Sequence, residues 1–488
     1  MKWKSNLSIL LYCVILSFVC LSVYGYTTSP FYDEPESCDS AIFQLVGKEW
    51  LNGKLPYVEL WDMKGPIIYF INLVGYALTV SRTGIFLIEV ISLTTTLFIL
   101  WKLLRKGFSV KHSSILLLFP VFSFAANNVG GNSVAEYLLP LLALSFYLLY
   151  NWFDKIQAEY QTEYNRHSAK YAFVYGLVVA FSLLTRLTNA VGICAAVAII
   201  TFWLIAKRNF KNLLFNILSF VFGFALLFIP FATYFTYHHA FSEMWYGTFL
   251  YNLDYAAASS SELHSLPAIF KALIHFADTW LLLVVSVLVL IANPRRRFAG
   301  LVWLFVALFS IVWFLRGNGY SHYGLISLPC ICIAFLEMKT ILKRSSVRLL
   351  HYSCITLFFL YGFITVGSCI YSYRMFNSMY IKNEELQQYR AFLKDIPADF
   401  RQSFIAYNCN PDLYLYDNIV PCYRFVALQD FQCRNSNSLK AKMREEFSGN
   451  AKWILVKGHA REIAPILETR YTVFKNDASC DLRLYKLK

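Results

Sequence analysis

Apolar runs close to the thickness of a bilayer recur from residue 7 to residue 371 and leave the chain little to do but cross a membrane. They cover 7–25, 83–104, 113–127, 134–152, 170–188, 190–206, 213–235, 270–291, 298–315, 323–338 and 349–371. A hydrocarbon core offers no water to backbone groups, so each run must close its own hydrogen bonds as a helix. The expected fold class is an all-α polytopic membrane bundle of about 11 transmembrane helices. Composition agrees: 57% of residues are hydrophobic and 15% charged, against about 45–50% and about 25% in soluble domains.

The connectors alternate between two classes. One is basic: Lys2 and Lys4; Lys102, Arg105, Lys106 and Lys111; Lys155, Arg166 and Lys170; Lys207, Arg208 and Lys211; Arg295, Arg296 and Arg297; Lys339, Lys343, Arg344 and Arg348. The other is nearly bare, and 128–133 and 236–266 hold no Lys or Arg. Basic loops stay in the cytoplasm. The pattern therefore predicts a membrane protein with its N-terminus in the cytoplasm and residues 372–488 outside. The net charge of +14 is then topogenic, which points to the lipid bilayer as partner and away from nucleic acid.

One apolar stretch, "GPIIYFINLVGYALTV" at 65–80, would invert every later loop if it crossed. It is expected to enter the outer leaflet as a short helix and return before 83. The first run, Leu7 to Tyr24, exceeds the roughly 7–15 apolar residues of a signal peptide. Its end, "YGY", is a poor cleavage site, so an uncleaved first span is expected.

Two domains are expected, a membrane domain over 1–375 and a small periplasmic α/β domain over 376–488. In the tail, "SFIAYNC", "KWILVKG", "RYTVFKN" and "DLRLYKL" read as strands. "NEELQQYRAFLKDI", "SLKAKMREEF" and "EIAPILE" read as helices. Cys409, Cys422, Cys433 and Cys480 lie in this oxidising compartment, and their disulfide state stays open. No cysteine or histidine spacing supports a metal site, and no bound cofactor is expected.

Ionisable groups at span ends are costly and so point to function. At the outer ends stand Asp39, Asp62, Lys64, Arg82, Glu136, Arg186, Arg316 and His322, with Asn189 beside Arg186. Cations near the headgroup plane suit a phosphate, and a carboxylate suits removal of a hydroxyl proton. Together they describe group transfer from a phosphate leaving group to an alcohol. The bland alternatives are snorkelling for Arg82 and Arg186 and simple helix capping for Asp39. From Asp39 onward Ile42, Phe43, Val46, Trp50 and Leu51 share one face, with Gln44, Lys48 and Glu49 opposite. That is an amphipathic outer-loop helix lying on the membrane surface, with Asp39 at its N-cap.

Asp39, Phe43, Gly53, Pro56, Tyr57, Asp62, Lys64 and Pro66 fit the pattern D-x-x-x-[FY], then G-x-x-P-Y, then an acid, a lysine and a proline. In this the chain resembles the GT-C membrane glycosyltransferases, and among them the group of the protein O-mannosyltransferases and the lipid A aminoarabinose transferase. "GGNSVAEYLLP", "LLTRLTNAVG", "YNLDYA" and "GNGYSHYGLISLP" resemble bacterial members in the same order. Two positions depart from the family pattern: Ser40 follows Asp39, and Met63 precedes Lys64.

The resemblance implies a GT-C-like fold and inverting transfer of a sugar from a polyprenyl-phosphate donor to a hydroxyl of a cell-envelope acceptor, whether glycan, lipid or protein. It implies Asp39 as base, and Lys64, Glu136, Arg186, Arg316 and His322 as the groups on donor phosphate and sugar. Asp62, Asn189, Asn252 and Tyr255 are further candidates. The rivals are a multi-pass transporter and an O-antigen ligase or polymerase. Transporters of many folds carry internal repeats and broken helices at the midplane, and no repeat is evident. Ligases favour a large outer loop with paired arginines, which 236–266 lacks.

Overall fold

The computed structural model describes residues 2–128, 130–158, 166–258, 269, 273–315, 320–379, 381–434, 436–447 and 451–488. The chain folds into helices α1 (Lys2–Tyr24), α2 (Cys38–Leu51), α3 (Pro66–Thr79), α4 (Thr83–Leu104), α5 (Val110–Leu116), α6 (Leu118–Asn127) and α7 (Val134–Ala158). There follow α8 (Ala169–Leu183), α9 (Val191–Ala206), α10 (Phe210–Tyr237), α11 (Phe241–Trp245), α12 (Tyr251–Ala258), α13 (Ala277–Ala292), α14 (Arg297–Leu315), α15 (Leu328–Arg344) and α16 (Arg348–Met379). The tail adds α17 (Glu384–Leu393), β1 (Ile405–Tyr407), α18 (Asp412–Tyr416), α19 (Gln429–Cys433), α20 (Asn437–Phe447), β2 (Trp453–Lys457), α21 (Ala464–Arg470), β3 (Tyr471–Asp477) and β4 (Leu482–Leu487).

Among the described residues nine helical stretches are long and apolar enough to cross a membrane, and the chain is an integral membrane protein. The runs expected at 170–188 and 270–291 appear as shorter helices, Ala169–Leu183 and Ala277–Ala292. Length and apolarity thus single out nine candidate spans among the described residues, and the expected count of about eleven is not confirmed. The stretch 65–80 forms the 14-residue α3, too short to cross upright at about 1.5 Å per residue.

Packing divides the chain into two compact units: Met1–Gly25, Leu87–Thr233 and Ser260–Met375, and then Tyr26–Phe86, Tyr234–Ser259 and Phe376–Lys488. In the first, α8 and α10 meet backbone to backbone. A Cβ on Gly176 would stand 2.0 Å from the Phe220 carbonyl oxygen, and one on Gly223 would stand 2.1 Å from that of Phe173. Small residues at such crossings are what brings membrane helices together. Two buried acids in this unit are paired: Asp278 accepts from Ser123 and from Tyr361, each at 2.7 Å, and Glu337 meets Arg296 at 2.8 Å.

The second unit holds the segments that follow α1 and α10 and the tail. Pro66 opens α3 at a position where its missing N–H costs nothing. Val80, in the left-handed region at φ 56, closes it. Here Gly84 nearly touches Gly75; a Cβ on Gly84 would lie 1.9 Å from the Gly75 carbonyl oxygen. The chain thus turns straight back into α4. In the tail, one four-stranded sheet has the order β1-β2-β4-β3, with β1 parallel to β2 and the other pairs antiparallel. Its core takes in Trp61 and Tyr251 from the outer loops alongside Tyr407, Phe425, Ile454 and Val456. Cys409, Cys422, Cys433 and Cys480 all stand as free thiols.

Candidate active site

The helix α2 is present, but part of its polar face is buried. Gln44 and Glu49 are buried, while Leu51 is exposed. Gln44 donates to the Thr27 carbonyl at 3.3 Å and accepts from Tyr76 at 3.2 Å. Lys48 reaches Asn418 of the tail at 2.6 Å. On the opposite side Gly47 lets α3 approach within backbone distance. At Gln44 hydrogen bonds thus replace the solvation that a surface helix would keep.

Asp39 is exposed and sits in the first turn of α2, the second helical residue. The N-cap is Ser37, two residues earlier than expected. Asp39 makes no capping bond and no side-chain hydrogen bond among the described residues, so capping does not explain it. Its carboxylate lies at the positive end of the helix macrodipole. Of the neighbouring acids, Glu34 is engaged in a two-bond pair with Arg390 at 2.6 and 2.7 Å. That pair holds the Glu34 carboxyl below its usual range.

The turn after α2 brings Lys64 to the same place. Its carbonyl oxygen accepts from the hydroxyls of Tyr57 at 2.8 Å and Tyr69 at 3.3 Å. Asn252 Nδ2 holds the Met63 carbonyl at 2.7 Å. The Lys64 side chain is half-buried, with no hydrogen bond among the described residues. Between them lies Asp62, 3% exposed, accepting from Tyr69 at 2.6 Å. Burial pushes the Asp62 carboxyl up; the Lys64 ammonium opposes this, and the Asp39 charge adds to it. Asp39, Asp62 and Lys64 therefore form one electrostatic cluster, with Asp62 fixed by Tyr69. Asn252 acts here as a brace for the lysine loop. Tyr255 packs its ring against Phe431, centroids 5.6 Å apart. The sequence pattern had flagged Tyr57; Tyr69 carried no signal beyond its place in an apolar helix.

The remaining candidates belong to the membrane unit. The helix expected over 170–188 stops at Leu183, and Arg186 follows in extended conformation, φ −148 and ψ 103. Its guanidinium lies 3.3 Å from the centroid of the Tyr323 ring. His322 packs edge-on to the same ring, centroids 4.6 Å apart. The structure thus brings Arg186 and His322 together around one tyrosine. Asn189 is buried, and its Nδ2 has no hydrogen-bond partner among the described residues. Glu136 is fully buried beside the Glu89 carboxylate, and Glu89 accepts from the Asn132 backbone N–H. Glu89 was missed because it stands alone inside an apolar run, yet a lone acid there was itself the signal. Arg316 lies outside the described residues.

A family profile described as "Putative competence-induced protein Ccs4 N-terminal domain" matches residues 1–375. No curated protein matches the chain. Among solved structures, ArnT from Cupriavidus metallidurans bound to undecaprenyl phosphate aligns with a TM-score of 0.56 at 11% identity, over 97% of this chain and 97% of ArnT. Its apo form aligns with a TM-score of 0.56 at 10% identity, over 99% and 98%. The apo oligosaccharyltransferase of Archaeoglobus fulgidus aligns with a TM-score of 0.50 at 11% identity, over 92% of this chain and 69% of that one. These likenesses are of fold, and the fold is the GT-C fold that the sequence resemblance implied.

Proposed function

From the premise that this chain belongs to the Ccs4 N-terminal-domain family and carries a GT-C fold, we propose that it is an inverting glycosyltransferase. The donor is a sugar on a polyprenyl phosphate, and the acceptor is a hydroxyl of a cell-envelope molecule at the periplasmic face of the inner membrane. The observation that carries this reading is Asp39: an exposed carboxylate at a helix start, not spent on capping, in one charge cluster with Lys64. The ArnT that shares the fold was solved with undecaprenyl phosphate bound, which supports the donor class.

In this mechanism Asp39 takes the proton of the acceptor hydroxyl. The oxygen attacks the anomeric carbon as the bond to the phosphate oxygen breaks. Polyprenyl phosphate leaves with the electron pair, and the configuration inverts. Lys64 faces the charge that builds on the leaving phosphate, while Asp62 and Tyr69 keep the lysine loop in place. Glu136, Arg186 and His322 take donor-binding roles, each open to its own substitution. General-base help of this kind contributes about 10²–10⁴-fold.

The test incubates the purified protein with a panel of polyprenyl-phosphate sugars and follows release of polyprenyl phosphate. Asp39→Asn should lower turnover by about 10²-fold or more while the protein keeps its elution profile and melting temperature. Full turnover in that variant would sink the mechanism. Uptake of a solute into proteoliposomes without donor turnover would favour the transporter.

A further inference from the structure

The tail grips the chain just ahead of Asp39 from three sides. Arg390 holds Glu34 through two bonds and also donates to Asp417 at 2.7 Å. The Tyr416 hydroxyl donates to the Pro35 carbonyl at 2.8 Å and lies 3.0 Å from Ser37 Oγ. Asp412 accepts, on one oxygen, the Ser37 backbone N–H at 2.9 Å and Asn383 Nδ2 at 3.2 Å. Ser37 is the N-cap of α2, and Asp39 follows two residues later.

Asp412 is fully buried, and its second oxygen has no hydrogen-bond partner among the described residues. Burying a carboxylate half-satisfied is costly. A cover over the outer loops asks for no such group, whereas fixing one backbone N–H at a helix start does. Glu34 itself is held in the left-handed region at φ 42, rare for a residue with a side chain. The segment 34–37 is thus fixed in direction largely by contacts from the tail.

We propose that the C-terminal tail is a positioning element for the transfer reaction. Asp412, Tyr416 and Arg390 lock the 34–37 turn, and so set the direction in which the Asp39 carboxylate leaves α2. They act through the backbone, not on the reacting atoms. The proposal rests on Asp39 being the base. It assigns the tail a share in turnover rather than in donor affinity.

The experiment uses the full chain in nanodiscs, with Asp412→Ala, Asp412→Asn, Tyr416→Phe and Asp39→Asn. Amide hydrogen exchange over 37–41 is measured without donor. Turnover and donor KM are measured with the polyprenyl-phosphate sugar that the panel selects. Asp412→Ala should speed exchange about tenfold and lower kcat about 10–100-fold, with donor KM unchanged. Asp412→Asn keeps an oxygen for the Ser37 N–H and should restore both. Tyr416→Phe should fall between.

Wild-type exchange and kcat in Asp412→Ala would overturn the proposal, as would equal loss in Asp412→Asn. If Asp412→Ala does not fold, Tyr416→Phe decides in the same way. Failure of the base reading shows separately, as full turnover in Asp39→Asn with the exchange pattern intact.

Discussion

Replacing Gly47 by alanine asks how closely the two halves of the Asp39–Lys64 cluster must be held. A Cβ at Gly47 would stand 2.5 Å from the Asn72 Cβ and 2.8 Å from both Leu73 N and the Tyr69 carbonyl oxygen. Carbon atoms in contact settle at about 3.5–4.0 Å, so α2 and α3 must part by about 1 Å. Two of the three obstacles are backbone atoms, so no side chain can swing aside. Such overpacking costs about 1–3 kcal/mol. Asp39 rides on α2, and Lys64 immediately precedes α3, so the separation acts directly on the cluster. A misplacement of about 1 Å is worth about 10²-fold in rate. Gly47→Ala should therefore fold, melt lower, and release polyprenyl phosphate about 10–100-fold more slowly. Gly367→Ala, whose Cβ meets nothing within 4 Å, serves as the control and should match wild type. Gly47→Ala with wild-type kcat would refute the claim that this spacing matters.

Stability should depend on pH through Asp412. Burial pushes its carboxyl up to about 7, so the folded chain binds a proton more readily than the unfolded one. Stability should then fall as pH rises from about 4 to about 7 and level off above, with the slope reduced in Asp412→Asn; denaturation across that range reads it. Tyr69→Phe removes the donor to Asp62, should cost about 1–3 kcal/mol, and should move the acid limb of the pH–rate profile to higher pH, since the lost bond favoured ionised Asp62. Arg186→Lys gives up a planar stack on Tyr323, and donor KM should rise more than kcat falls; equal loss in both would count against a donor-binding arginine. Gly223→Leu drives a side chain into the Phe173 carbonyl and should abolish the monodisperse elution peak.

The regular parts of the fold were legible because they rest on local pattern. Three tail strands fall inside the stretches read as strands and β3 passes its own by one residue, while α17, α20 and α21 fall on the helical ones. That α3 is a short helix followed from charge bookkeeping along the chain and from the length of its apolar run. What stayed hidden depends on contacts far apart in sequence. Nothing in "CDSAIFQLVGKEWL" shows that Gln44 bonds to Thr27 and Tyr76, that Lys48 reaches Asn418 of the tail, or that Ser37 holds the N-cap position ahead of Asp39. The choice of Asp39 over Glu34 gained its physical reason only with Arg390, 356 positions away. Arg186 was singled out by its charge, yet the helix break that presents it came from packing.

Trp61, in the first outer loop, sits in a core whose other members come chiefly from the tail, and its backbone N–H donates to the Arg424 carbonyl at 2.8 Å. During synthesis at about 5–20 residues per second, the loop emerges roughly 20–70 s before the strands that complete that core. For that interval an indole and its apolar neighbours wait without their final partners while the helices between are inserted. The order of assembly is thereby set: this unit closes last, and a ribosome that stalls after the final span leaves the segment around Trp61 without the strands that complete its core.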